Sequence, residues 1–315
     1  MKRYLFAMLF LALWHPLAYG GEVDWAALNP ALADATYVGS SAKCLECHEE
    51  YMNVFKKTAH SRASHTMKQN DCESCHGPMS KHLDAPKRRP PLTVSFKKER
   101  GLTALQKNSV CLQCHEKGKV AMWMGSQHER VSVACADCHN IQKGMPRDLI
   151  KQTNTDLCIK CHTKYRAIIQ KSSHHPLREG KLFCTDCHNP HGTMTEKLVS
   201  ANSVNEKCYE CHTEYRGPFL FEHPVVRENC MTCHEPHGSN LTFLLRLKPP
   251  HLCQQCHVNV IQGHSTFLFD GNDLPGGSNF FSGSVGGKRM VQKGCPNCHS
   301  QIHGSNHPAG AKFQR

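Results

Sequence analysis

Long apolar runs are missing from this sequence. The longest, Tyr4 to Trp14, is too short to cross a bilayer, and no later stretch approaches the roughly 20 residues a spanning helix needs. Strand-like alternation is almost absent as well, which removes sandwiches, barrels and doubly wound sheets. Hydrophobic residues are only 39% of 315 and aromatics 7%, against 22 Gly and 17 Pro, so a conventional hydrophobic core is out of reach. Amphipathic stretches are few. The best, Glu49–Arg62, predicts a helix carrying His60.

Also missing is any spare thiol. All 20 cysteines fall into ten Cys-x-x-Cys-His runs. These are Cys44/Cys47, Cys72/Cys75, Cys111/Cys114, Cys135/Cys138, Cys158/Cys161, Cys184/Cys187, Cys208/Cys211, Cys230/Cys233, Cys253/Cys256 and Cys295/Cys298. Each second cysteine is followed by His: His48, His76, His115, His139, His162, His188, His212, His234, His257 and His299. This is the attachment signal of a c-type haem. Two thiols add to the porphyrin vinyl groups, and the adjoining His reaches the iron from one face. Zinc also takes Cys-x-x-Cys pairs, but His is only 24 of 315 residues, and zinc gives no reason for it to follow every pair. The reading is ten covalently bound haem c groups, with nothing left for a disulfide or a cysteine nucleophile.

Ten haems on so short a chain reset the other inferences. The expected fold class is a multihaem c-type cytochrome, mostly irregular with short α-helices, negligible β and an elongated haem chain. The haems themselves are the core. The formal charge of +12 falls to +10 without Lys2 and Arg3. Ten pairs of propionates outweigh that, and the single positive charge left on each ferric haem core brings the oxidised holoprotein back near neutral. The basic side chains therefore read as propionate partners, not as a nucleic-acid face. Residues 1–20 read as a signal peptide, with a basic start, a short apolar run and small residues at Ala18-Tyr19-Gly20. Residues 21–43 form an N-terminal arm, a linker or docking arm more than a domain. Residues 44–315 form the cytochrome.

The cytochrome is built from a repeat. Cys158–Tyr165 reads CIKCHTKY, and Cys208–Tyr215 reads CYECHTEY. Each unit holds an odd motif, a spacer with a lead His, an even motif and a trailing His. Five units fit, at about 44–110, 111–157, 158–207, 208–252 and 253–315. Lead residues are His65, His128, His174 or His175, His223 and His264, and trailing ones are His82, His191, His237 and His303. His60 is an extra in the first unit. The second unit has Gln142 where its counterparts have the trailing His. The expected second axial ligands are His60, His65, His82, His128, His175, His191, His223, His237, His264 and His303. His251 and His307 fall outside the repeat and are expected not to ligate. Met52, Met79, Met124 and Met145 show no repeat phase, so Met ligation is not expected. Ten His/His irons would be low-spin with no open face. A reductase, which needs a vacant face, is therefore disfavoured, and no catalytic residue is assigned.

Four stretches then carry a family resemblance: CTDCHNPHG at 184–192, ENCMTCHEPHGS at 228–239, LCQQCH at 252–257 and CPNCHSQIHGSNHP at 295–308. The chain resembles the periplasmic decahaem cytochromes of outer-membrane porin–cytochrome conduits, of the metal-reducing (Mtr) and iron-oxidising (Mto, Pio) type. Ungapped internal alignment favours His174 as the third lead ligand. The resemblance favours His175, and makes His65 the substitute for the ligand lacking at Gln142.

The resemblance implies a periplasmic protein associated with the outer membrane, threaded into a β-barrel partner. It would exchange electrons with periplasmic or inner-membrane cytochromes and an extracellular multihaem cytochrome. The function would be electron relay for extracellular metal reduction or Fe(II) oxidation. The alternative is a soluble periplasmic shuttle to a terminal reductase. Asp270–Lys288, rich in Gly and Ser, reads as a surface loop or as a partner contact through Phe280 and Phe281.

Overall fold

The computed structural model describes residues 23–39, 42–67, 72–88, 92–97, 101–141, 154–257 and 295–314. The leader segment, Gln142, His264 and Asp270–Lys288 lie outside them, as does the side chain of His65. Contacts divide the chain into two compact units. One is residues 1–153 with 190–193; the other is 154–189 with 194–315. Among the described residues there are short helices, single 3-10 turns and four isolated β-bridges, with no strand. Few apolar side chains are fully buried, Leu32, Val94, Val110 and Trp123 among them. This is the pattern of a fold whose interior is something other than side chains.

Odd and even motifs sit on different local structures. The third and seventh motifs ride late on a capped helix. Ala104–Leu112 starts at Thr103, whose hydroxyl and Gln106 form a reciprocal capping box, and carries Cys111 on its last turn. Val204–Tyr209 starts at Ser203 and carries Cys208. Even motifs are single turns. Asp137 and Asp186, inside Cys135–Cys138 and Cys184–Cys187, accept the N–H of Ala134 at 2.8 Å and of Phe183 at 2.7 Å. A carboxylate at the N-terminus offsets the orphan donors of so short a turn.

The helix expected over Glu49–Arg62 is two helices, Ala42–Phe55 and Ala59–Met67. Buried Thr58 makes the break. Its hydroxyl donates to Phe55 O at 2.7 Å and accepts from Ser61 N at 3.3 Å, capping the second helix. The break lets His60 start a new direction.

Residues 24–38 pack back onto the second motif. The Glu73 carboxylate, buried in that motif, accepts backbone N–H groups from Val38, Gly39 and Met79 at 2.8–3.1 Å. Trp25 and Leu32 lie where a Cβ on Gly77 would stand, 3.0–3.1 Å away.

Candidate metal centres

The side chains that position the motifs were not singled out by sequence. Asn108 and Asn205 each stand three residues before an odd motif, and both are buried. Asn108 donates to Val133 O at 3.1 Å and accepts from Cys135 N at 2.8 Å. Asn205 donates to Val226 O and Arg227 O at 2.9 Å and accepts from Cys230 N at 2.8 Å. Each amide clips an even motif to the odd motif of its own unit. The third unit has Thr155 there, buried beside Cys184.

The clip sets sulfur against sulfur. Cys111 lies within hydrogen-bonding reach of Cys135, Cys158 of Cys184, Cys208 of Cys230 and Cys253 of Cys295. These thiols stand for the thioether sulfurs of the loaded protein. Hydrogen bonding from Cys158 pulls the Cys184 thiol down to about 7, and Cys208 does the same to Cys230. Second cysteines feel the charge of cysteines in the next repeat: Cys75 that of Cys114, Cys187 that of Cys208 and Cys211, and Cys233 that of Cys256. Motifs two to four in one unit of the fold, and five to ten in the other, are thus neighbours in chain order.

The polypeptide alone does not cover every motif sulfur. Cys47, Cys114, Cys161, Cys211, Cys256 and Cys298 are exposed, and the other fourteen cysteines are half-buried. Five of the six are the second cysteines of odd motifs, and Cys298 closes the tenth. The reason lies in the local turn. The first cysteine of an odd motif is covered by the even motif clipped against it, while the second stands on the outer side of the same turn. What would cover the second sulfur is the porphyrin edge bonded to it, not another side chain. An exposed thiol beside its motif histidine is also one that a vinyl group can reach.

The histidines oppose one another in pairs. His139 faces His191, His188 faces His237 and His234 faces His303, with ring centres 6.0–6.1 Å apart and planes 10–17° from parallel. His48 faces His82 at 6.4 Å, His115 faces His60 at 5.7 Å, His212 faces His175 at 6.3 Å and His257 faces His223 at 6.0 Å. One ion between two imidazole nitrogens, each about 2.0 Å away, sets ring centres about 6 Å apart. The spacing therefore fits a single iron with two axial imidazoles. Among the described residues, no three or more His, Cys, Asp or Glu side chains gather as a metal site. Burial holds His60, His188, His191, His223 and His303 below the ordinary imidazole range, favouring the neutral form that ligates.

The rings that face His139, His188 and His234 each come from the next sequence repeat. His237 follows the eighth motif yet faces the His of the sixth, and His303 follows the tenth yet faces the eighth. The Pro-His-Gly element explains how. Gly192, Gly238 and Gly304 have φ of +119°, +153° and +141°. A Cβ there would lie 2.0 Å from Met122 O, 2.2 Å from Ile168 O and 2.2 Å from the Phe219 ring. Only Gly lets the trailing segment lie flat on the earlier repeat. Aromatic rings back the delivered imidazoles: Trp123 behind His191, Tyr165 behind His237 at 4.7 Å and Tyr215 behind His303 at 4.3 Å. The recurring tyrosines of CIKCHTKY and CYECHTEY thereby gain a role.

Backbone carbonyls orient the rings. His76 pairs through Nδ1 with Val94 O, His188 with Lys197 O and His234 with Phe243 O, at 2.7–2.8 Å. Lys197 and Phe243 have φ near +60° (57° and 59°), strain accepted where the chain turns a carbonyl onto the ring. His174 is held elsewhere, by Lys171 O at 2.6 Å and Glu179 at 3.2 Å, while His175 faces His212. His251 and His307 are exposed, and His307 Nδ1 accepts from Ala309 N. His128 is held by Pro190 O at 2.8 Å.

Comparison with known proteins agrees with this geometry. Residues 128–167, 174–217 and 223–262 match the model of the doubled CXXCH motif, and residues 72–147 match the cytochrome c-type protein NrfB-like family. The chain is 42% identical over 299 residues to the multiheme cytochrome MtrA of Shewanella baltica (strain OS185), covering 92% of this chain and 86% of that protein.

Proposed function

The chain belongs to the multihaem c-type cytochromes of the MtrA family, and from that premise we propose that it relays electrons between periplasm and cell exterior, across the outer membrane, inside a β-barrel partner. It is an electron carrier that binds haem c covalently. Bound haem iron supplies a one-electron couple, and the polypeptide fixes spacing, axial ligation and exclusion of substrate. The proposed complement is ten haems, one per motif. The second ligands are His82 for the first motif, His60 for the third, His191 for the fourth, His237 for the sixth, His175 for the seventh, His303 for the eighth and His223 for the ninth. His65, His128 and His264 remain for the other three motifs.

One observation supports a wire over isolated centres. Motifs consecutive in the chain are neighbours in space, through Cys111–Cys135 and Cys208–Cys230 inside repeats and Cys187–Cys208 and Cys233–Cys256 between them. A hydrocarbon core of about 30 Å needs several closely spaced cofactors, and irregular backbone at that depth needs a protein wall around it. Among the described residues no helix is long and apolar enough to cross a membrane, so a partner would supply that wall.

Two measurements test this. The intact mass of the mature protein is expected to exceed the polypeptide by ten haems. Solubilised outer membranes are expected to yield the chain in a stable complex with a large β-barrel, which in liposomes passes electrons from internal reductant to external ferric oxide. Recovery of the chain free of any barrel, still reducing a soluble reductase, would favour a diffusing shuttle.

A further inference from the structure

One hydrogen bond recurs at the junctions between repeats. His128 Nδ1 meets Pro190 O at 2.8 Å, His175 Nδ1 meets Pro236 O at 2.8 Å, and His223 Nδ1 meets Ile302 O at 3.1 Å. In each case the accepting residue immediately precedes a trailing histidine: His191, His237 or His303. The peptide that delivers one axial ligand therefore also anchors the ring of another. The two segments are tied further by backbone pairing, Ser173 with Ser239 and Phe221 with Ser305.

The first repeat lacks this device. His60 faces His115 as His175 faces His212, with planes crossed at 64° and 56°. Yet its Nδ1 is buried and has no hydrogen-bond partner among the described residues. The sequence holds the reason. The segment that would bring the carbonyl follows the fourth motif, where Gln142 stands in place of the trailing His that holds its counterparts in register.

We propose that the carbonyls of Pro236 and Ile302 are tuning groups for the haems of the seventh and ninth motifs. We propose further that the third haem, ligated by His60 with no acceptor for its Nδ1 among the described residues, holds an electron more strongly than either. The proposal rests on the ligand pairing given above. A carbonyl accepting Nδ1–H draws the proton away, makes Nε2 a stronger donor and stabilises ferric iron over ferrous. An imidazole without that acceptor donates less, so its iron takes its one electron at a more positive potential. No bond breaks in the step; the electron comes from the neighbouring ferrous haem, which is oxidised. Pro236 and Ile302 act through a ligand and are positioning residues, and side-chain substitution leaves their carbonyls in place. The test must therefore change the ring.

The experiment uses the full holoprotein with His175→Gly and, separately, His60→Gly, each supplied with imidazole or 1-methylimidazole. Imidazole regains both Nε2 ligation and the N–H; the methylated ring ligates but cannot donate. At the His175→Gly site, imidazole is expected to bind about five- to tenfold more tightly, the worth of roughly one hydrogen bond. It is also expected to give the more negative potential by spectroelectrochemistry. At the His60→Gly site the two ligands are expected to match in affinity and potential. Equal behaviour of both ligands at both sites overturns the tuning. Failure of either glycine variant to yield a high-spin haem before ligand addition overturns the pairing beneath it. As a check needing no variant, the wild-type ferric signals for steeply crossed imidazoles, from the third and seventh haems, are expected to disappear at two distinct potentials on stepwise reduction. Their joint disappearance also counts against the proposal.

Discussion

At the residue scale, one methyl group separates a capped iron from an open one. Gly238 has φ +153° with Ile168 O 2.2 Å from where a Cβ would be. Gly238→Ala is expected to lift His237 from the sixth iron, give one haem's worth of high-spin ferric signal in electron paramagnetic resonance, and cost roughly 1–3 kcal/mol of stability. The adjacent pair His174 and His175 makes the contrast sharper. His175→Ala is expected to leave one haem high-spin. His174→Ala, which loses only Lys171 O and Glu179, is expected to keep every haem low-spin. An all-low-spin His175→Ala protein would show that His212 finds its partner elsewhere. Sequence could narrow the choice to this pair, because both sit near the lead position. Ungapped alignment favours His174 while His175 is the ring that faces His212; the third repeat carries a short insertion, and spacing alone cannot tell which side of an insertion a ring emerges from.

At the element scale, the work is done by short turns with defined caps. The amides of Asn108 and Asn205 each satisfy backbone groups at the even motif from a position on the odd motif's helix. Asn205→Ala leaves Cys230 N and two carbonyls without their partner in a buried site. It is expected to destabilise the fold by roughly 2–4 kcal/mol, read as a fall in thermal midpoint with the haem count unchanged. An unchanged midpoint would mean water replaces the amide. These asparagines were visible as a repeat, three residues before Cys111 and Cys208, but a polar residue near a helix start has many bland uses. Their long-range partners, 21 to 27 residues away, are set by tertiary folding. The outward position of Cys47, Cys161 and Cys298 was hidden in the same way, since motif spacing says which sulfurs share a porphyrin and not which of them the chain covers. The helix break at Thr58 was hidden for a related reason: apolar periodicity continues across it, while the hydroxyl that ends one helix and starts the next gives no periodic signal.

At the scale of the whole molecule, the motifs and the supply of histidines were legible because porphyrin chemistry fixes local spacing. The pairing was not, because facing rings lie 34 to 69 positions apart and leave no trace in either neighbourhood. Once the pairs are seen, their logic is simple: the third, fourth and fifth repeats each lay a trailing imidazole against the even-motif His of the repeat before. A related expectation concerns Gln142. Gln142→His restores the trailing residue of the second repeat. It is expected to leave the haem count unaltered while changing the low-spin ferric spectrum of one haem, as the new imidazole competes for a place near the second motif. An identical spectrum would show that the segment after His139 no longer reaches that far.

Borrowing from the successor has an outcome for any shortened form of the chain. Stop translation after Leu252 and, on the proposed pairing, the eighth iron would be orphaned, since His303 faces His234 from the last repeat. That iron would then be free to take carbon monoxide or peroxide. The final repeat thus serves as a seal, and a cell that clipped it off would trade a passive cable for a small, leaky peroxidase.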